Sequence, residues 1–402
     1  MLEGTRSGAL AVPAIRRLRG WGQVILPVLI VALLFGVVVG NRLSTYHGNP
    51  TGFVLFGSHF ERVTHPPPGA VINSKYGYDG QFFYLQAKDP LLLHAATIAA
   101  FRRSRQPFRM QRVAYPALSY LVAGGRRSAI PWAMLGVNVA VVLLVTLGFA
   151  IYALRRGWGG WWALAIGLLP GLLVGTLRDL SDPLACAAVV GGLMLWQRRH
   201  RWWAAVLLAL AALAREPMIL AVVAVAADTG LRAWQARDQD GEGRRILKEA
   251  WPAVLVPVAV FVIWQAYAAS RYGALLSSPG KAYLPPFVGV IDEVHHALRD
   301  PSLRNTLWDL AYLAVMMLGI VAALDLLRRK RSAPAIAATL FGLGLLVLVF
   351  GDPWSYTRLS APMFAVLLLG GLEQRRPLAL AACAAAALLG LVVPFAPWLA
   401  AG

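Results

Sequence analysis

The sequence predicts an all-α fold: a polytopic integral membrane helical bundle, with about 11 transmembrane helices and interfacial helices in the first outer loop. Two observations carry this expectation. Apolar stretches recur along the whole chain: 58% of its 402 residues are hydrophobic, only 14% are charged, and mean hydropathy is +0.60. A soluble core has no room for so many such runs. In addition, arginine clusters and acidic motifs alternate, one apolar stretch apart. The basic clusters are RSGALAVPAIRRLR, the pair at Arg155, RRHR at Arg198, RRILK at Arg244, RRKR at Arg328 and the pair at Arg375. The acidic motifs are YGYDGQFFYLQAKDP, LRDLSDP, AREP and FGDPWSYTR. If each stretch crosses a bilayer, the two sets fall on opposite faces. The positive-inside rule then puts the basic face in the cytoplasm.

In chain order the expected spans are Gly22–Val39, Ile130–Leu154, Gly159–Leu177, Pro183–Trp196, Trp202–Ala214, Pro217–Leu231, Trp251–Ala269, Leu307–Leu327, Pro334–Phe350, Leu359–Leu372 and Leu378–Val393. Several are shorter than the ~20 residues of a perpendicular span. Basic residues precede the first span and no small-residue cleavage site follows it, so it reads as retained rather than as a signal peptide. Residues 1–21 form a cytoplasmic N-terminal segment and 22–402 a single transmembrane domain. The chain is expected in the inner (plasma) membrane, multi-pass, with its N-terminus cytoplasmic.

The first outer loop covers 41–129, and it holds two apolar segments too short to span, Pro90–Phe101 and Val113–Ala123. Flanking Arg and Lys place both in or near the interface. A second outer loop, 270–306, contains LLSSPGKAYLPPF, whose Pro, Gly and Ser indicate an irregular cover. The net charge of +19 is spread over short loops, which favours anionic lipid headgroups and argues against nucleic acid. Cys186 and Cys383 lie in apolar runs and read as packing residues.

Four motifs carry candidate chemistry. Asp79 is a loop carboxylate able to deprotonate an acceptor hydroxyl, although Asp-Gly also makes a tight turn. Beside it, Gln81 could orient a substrate, and the rings of Tyr78 and Tyr84 could stack on sugar or isoprenoid. Asp179 and Asp182 sit where one span ends and Pro183 opens the next; capping covers Asp182 well and Asp179 less well. Arg178 could neutralise Asp179. Arg215 and Glu216 interrupt two apolar helices, where charge is costly at membrane depth. Arg358, with Tyr356 and Asp352 near it, offers planar donors that match phosphate oxygens. Arg112 and Lys281 are further cationic candidates. The histidines show no metal-ligand spacing, and no Walker loop, GxSxG or HExxH is present.

The order of these motifs resembles the GT-C superfamily of polytopic glycosyltransferases: YDGQFFYLQAKDP after a first span, RDLSDPLA at a span end, the hairpin WWAAVLLALAALAREPMIL, and a late WSYTRLSAP. The likeness runs from Val24 to about Leu372 on short motifs. It implies a mannosyltransferase-like enzyme using a polyprenyl-phosphate-linked sugar on the non-cytoplasmic face. The acceptor would be a glycan, a lipid or a protein. It places Asp79 as the essential loop carboxylate and Asp179 or Asp182 at a second acidic position. Arg215-Glu216 matches the charged pair of relatives. YDGQ stands where many mannosyltransferases have Trp-Asp-Gly, which leaves the sugar open. No cofactor is required by the motifs, and a divalent metal stays open. The competing expectation is a secondary transporter or a lipid or glycolipid flippase, which would place polar residues at mid-membrane and show repeat symmetry.

Overall fold

The computed structural model describes residues 11–239, 241–276, 284–348 and 355–392. Lys281 and Asp352 lie outside these described residues. The fold begins with α1 (Ala11–Thr45), an apolar helix that packs along α7. Between them lies a small folded segment. It holds α2 (Thr51–Val54), α3 (Glu61–Thr64), α4 (Gly80–Ala87), α5 (Ala95–Ser104) and α6 (Ala114–Val122). A short parallel pair, β1 (Phe56–Gly57) and β2 (Ile72–Ser74), pins its first half. The helices α5 and α6 fall on the two segments expected to lie at the interface. Next to and within them, Leu91, Leu93, Leu121 and Val122 stay exposed.

The bundle proper runs through α7 (Ile130–Arg155), α8 (Leu164–Gly167), α9 (Pro170–Leu177), α10 (Asp182–Gln197), α11 (Arg201–Ala214) and α12 (Ile219–Gln235). It continues with α13 (Glu242–Tyr272), α14 (Val288–Arg299), α15 (Leu303–Arg329), α16 (Ala333–Leu345), α17 (Ser355–Gln374) and α18 (Pro377–Val392). At its centre is α17, which packs against α9, α10, α15, α16 and α18 and is buried along nearly its whole length. By contrast α1 and α13 present Leu33, Val37, Leu255, Val262 and Ile263 outward, a surface suited to lipid.

The structure corrects the expected count of about 11 transmembrane helices. Among the described residues five helices are long and apolar enough to cross a membrane: Gly20–Thr45, Arg127–Arg155, Glu216–Gln235, Glu242–Tyr272 and Leu303–Arg329. A sixth is reached only if Gly160–Gly167 and Pro170–Leu177, bent by 50°, act as one broken span. Pro170 causes that break, since it cannot supply an N–H to a continuous helix. At the stretches read as Pro183–Trp196, Trp202–Ala214, Pro334–Phe350 and Leu378–Val393, helices form over Asp182–Gln197, Arg201–Ala214, Ala333–Leu345 and Pro377–Val392. They are shorter apolar helices of 10–17 residues. Hydropathy cannot separate a helix that is apolar because it faces lipid from one that is apolar because protein covers it. The chain is thus a polytopic, mostly helical membrane-spanning bundle with fewer long spans than its hydropathy suggests.

Some of the basic junctions come together in space. Arg156 and Arg198 both lie over the Tyr152 ring, Gln197 donates to Glu373 at 2.8 Å, and Lys330 pairs with Glu373 at 2.8 Å, so these basic junctions meet. The acidic motifs meet elsewhere, around Asp79 and Asp182.

Candidate functional site: a buried arginine and carboxylate cluster

Asp79 opens α4, and glycines on either side place it. Gly77 adopts φ +63°, a conformation that L side chains rarely take, and a Cβ there would stand 2.4 Å from the Leu55 carbonyl oxygen. Tyr78 then donates its N–H to the same oxygen at 2.9 Å. At Gly80 a Cβ would meet Val54 O at 2.6 Å and Arg178 O at 2.7 Å. Both neighbours are backbone and cannot swing aside. Gly80→Ala is therefore expected to cost about 1–3 kcal/mol, read as a lower unfolding midpoint in detergent; an unchanged midpoint would refute the close approach.

Gln81 is fully buried and serves as a tether. Its Oε1 accepts from Gly57 N at 3.2 Å and its Nε2 donates to Tyr76 O at 2.8 Å. Tyr84 is buried too, edge-on to Phe56 with ring centroids 5.2 Å apart. Both therefore build the frame that holds Asp79, and neither faces the cluster.

The cluster has two halves. In the first, the 3₁₀ turn Pro107–Gln111 and the residue after it supply Arg109 and Arg112. Residues three apart eclipse on such a turn, so both reach one side. Arg109 donates to Asp79 Oδ1 from Nε at 3.1 Å and also from Nη2. Its guanidinium lies 4.4 Å from the Phe82 ring centroid. Arg112 Nη1 stands 3.7 Å from Asp79 Oδ2, while its Nε donates to both Glu216 oxygens at 3.0 Å.

In the second half, Asp182 at the start of α10 accepts from Arg215 Nη1 at 2.5 Å and lies 3.6 Å from Arg358 Nη1. Here the carboxylate binds cations instead of capping the helix. Arg215 takes extended backbone, φ −160°, between α11 and the 3₁₀ turn Glu216–Met218. That break turns Arg215 inward and Glu216 toward an opening. Tyr78 joins the halves: Arg358 and Arg178 lie 5.3 Å and 4.5 Å from its ring centroid, within cation–π range. Arg178 thus faces Tyr78 and forms no ion pair with Asp179 among the described residues.

A cavity of about 380 Å³ opens beside the second half. Asp182, Arg215, Glu216 and Arg358 form its polar end. Its walls are apolar, with Ile219 and Leu220 from α12, Phe341 and Leu345 from α16, and Leu359 from α17. Arg215 Nε and Asp182 Oδ2 are buried without a hydrogen bond among the described residues. Buried polar atoms of that kind call for a partner.

Burial alone would push the Asp79 carboxyl up. Arg109, Arg358 and Arg112, in that order, outweigh it and hold the group well below the usual carboxylate range. Because the folded value is depressed, the associated stability is complete above the unfolded value of ~3.9 and is lost as pH falls below it. Arg109→Gln is expected to move acid unfolding to higher pH, read from unfolding midpoints across a pH series. Curves that superimpose on wild type would show that Arg109 does not set the Asp79 charge.

Asp179 and Tyr356 stand apart. Asp179 is buried at φ +47°, with the Tyr115 hydroxyl 3.5 Å from its Oδ1. Burial holds its carboxyl well above the usual range against that contact. Tyr356 donates to Asp309 Oδ1 at 2.5 Å, on the opposite side of α17 from Arg358.

Arg109 is the residue of the cluster that sequence reasoning missed. It sits in FRRSRQPFRMQR, where one arginine among many reads as an interfacial anchor. The available signal was the Arg109-Arg112 spacing of three after Pro107. No group of three or more His, Cys, Asp or Glu is placed to hold a metal among the described residues.

Fold and site together define a class: a polytopic helical membrane-spanning protein with a buried arginine and carboxylate cluster at the end of an apolar cavity. Comparison with family models, with curated proteins and with solved structures finds no match to this chain.

Proposed function

We propose that the protein is a membrane glycosyltransferase that moves a sugar from a polyprenyl-phosphate carrier to an acceptor hydroxyl on the non-cytoplasmic face. The observation that carries this reading is the cavity: arginines at one end, isoprenoid-compatible apolar walls at the other. A lipid phosphate has the same two parts in the same order. In the ion-pair cluster four arginines (109, 112, 215, 358) face three carboxylates (79, 182, 216).

The chemistry follows from these roles. Arg358 and Arg215 hold the phosphate, with planar donors matched to its oxygens. The acceptor oxygen attacks the anomeric carbon as its proton passes to Asp79. The bond from that carbon to the phosphate oxygen breaks, and its electron pair stays on the lipid phosphate. Configuration at carbon inverts in this single displacement. An oxocarbenium-like transition state makes the attacking hydroxyl acidic late, so a weakly basic carboxylate suffices. Afterwards Asp79 is neutral and the lipid phosphate is a dianion, so the negative charge that the phosphate gains is the one that Asp79 gives up.

The test is transfer of radiolabelled sugar from a panel of polyprenyl-phosphate sugars in proteoliposomes. Transfer from at least one donor is expected. Substrate uptake or lipid translocation without transfer would replace this reading by that of a transporter.

A further inference from the structure

Arg112 serves two carboxylates at once, and it does so unequally. Its Nε–H is shared between the two Glu216 oxygens at 3.0 Å each, a three-centre contact instead of the stronger two-bond fork. Its Nη1 is 3.7 Å from Asp79 Oδ2, an ion pair beyond hydrogen-bond length. Glu216 is also the most accessible carboxylate of the cluster, 22% exposed against 16% for Asp79 and 5% for Asp182. It lines the cavity, and Arg112 is its sole ion-pair partner among the described residues.

These facts single out one exchangeable contact. An anion arriving through the cavity meets Glu216 at the polar end. Asp182 is too deeply buried between Arg215 and Arg358 to leave without stranding a charge. Glu216 can turn away from Arg112 at lower cost, because it is the least buried of the three carboxylates. A phosphate presents paired oxygens as a carboxylate does, and it can take the full fork that Glu216 leaves unused.

We propose that Glu216 is a resident counter-anion on Arg112, displaced by the phosphate of a lipid-linked ligand. This rests on the donor reading above and extends it. It makes Arg112 a phosphate-binding residue and couples the cavity to Asp79. Once Arg112 turns to phosphate, Asp79 keeps Arg109 as its close partner and loses the weaker of its two ion pairs. The base is then freer when donor is present than when the cavity is empty.

The experiment is equilibrium binding of farnesyl phosphate to the full chain in nanodiscs, with farnesol and inorganic phosphate as separate probes. Glu216→Gln is expected to bind farnesyl phosphate roughly tenfold more tightly than wild type, and Arg112→Gln roughly tenfold more weakly. Glu216→Asp, whose shorter carboxylate draws back from Arg112, should fall between wild type and Glu216→Gln. Farnesol affinity should not change. Equal or weaker farnesyl phosphate binding by Glu216→Gln and Glu216→Asp, with wild-type binding intact, would overturn the displacement alone. A matching gain for farnesol would overturn it too, since the cavity would merely have widened. An equal gain for inorganic phosphate, with farnesyl phosphate no tighter than inorganic phosphate, would overturn the lipid-linked source. If neither wild type nor variant binds farnesyl phosphate, the donor reading falls and the displacement with it.

Discussion

Asp79→Asn is expected to lower sugar transfer at least ~10²-fold in proteoliposomes, the scale on which a positioned base contributes. The substitution is nearly isosteric, so it tests the charge and the proton-accepting oxygen more than the packing. Donor binding should change far less, because Asp79 does not line the cavity. The split is the informative part. A lost rate with retained affinity for a lipid phosphate marks Asp79 as the base. Full transfer by Asp79→Asn would remove it from the chemistry. Loss of rate and affinity together, with a lowered unfolding midpoint, would assign it to holding Arg109 and Arg112 in place.

The second large effect is on stability. Asp182→Ala is expected to cost about 3–5 kcal/mol, because it leaves a buried guanidinium uncompensated. Arg215 and Asp182 are only 8% and 5% exposed, and their contact is 2.5 Å long. Removing Arg215 as well, by Arg215→Met, should return part of that loss, with Arg358 still facing the gap. Unfolding midpoints in one detergent, for both single variants and the pair, decide the matter. Additive losses would mean that the two residues do not depend on each other.

How much of this was legible in the sequence follows from what hydropathy and charge can encode. Helical class was legible, since long apolar runs leave few alternatives. The number of long spans was not. Nearly every residue from Ser355 to Leu372 in α17 is buried in protein, yet the segment reads like a lipid-facing helix. At the site, Asp79, Asp182, Arg215, Glu216 and Arg358 were legible because charge inside apolar sequence is expensive and stands out. Their mutual pairing was not, because it joins separate segments: Arg215 and Asp182 lie 33 residues apart and Arg112 and Glu216 lie 104 apart. Tyr356 was misplaced for a geometric reason. Two residues along an α-helix is roughly a half-turn, so it looks away from Arg358 toward Asp309. Gln81 and Tyr84 were read as contacts for a ligand, whereas the Gly57 and Tyr76 backbone engages Gln81 and the Phe56 ring meets Tyr84.

The short helices also bear on where the chain can break. α16 has 13 residues and α11 has 14. At ~1.5 Å per residue each is about 20 Å long, against ~30 Å of hydrocarbon, so neither reaches across on its own. α16 is covered by protein along most of its length, and its neighbours rather than lipid set where it stops. A helix under no demand to cross can end early, and at the end of α11 that early stop is where Arg215 and Glu216 stand.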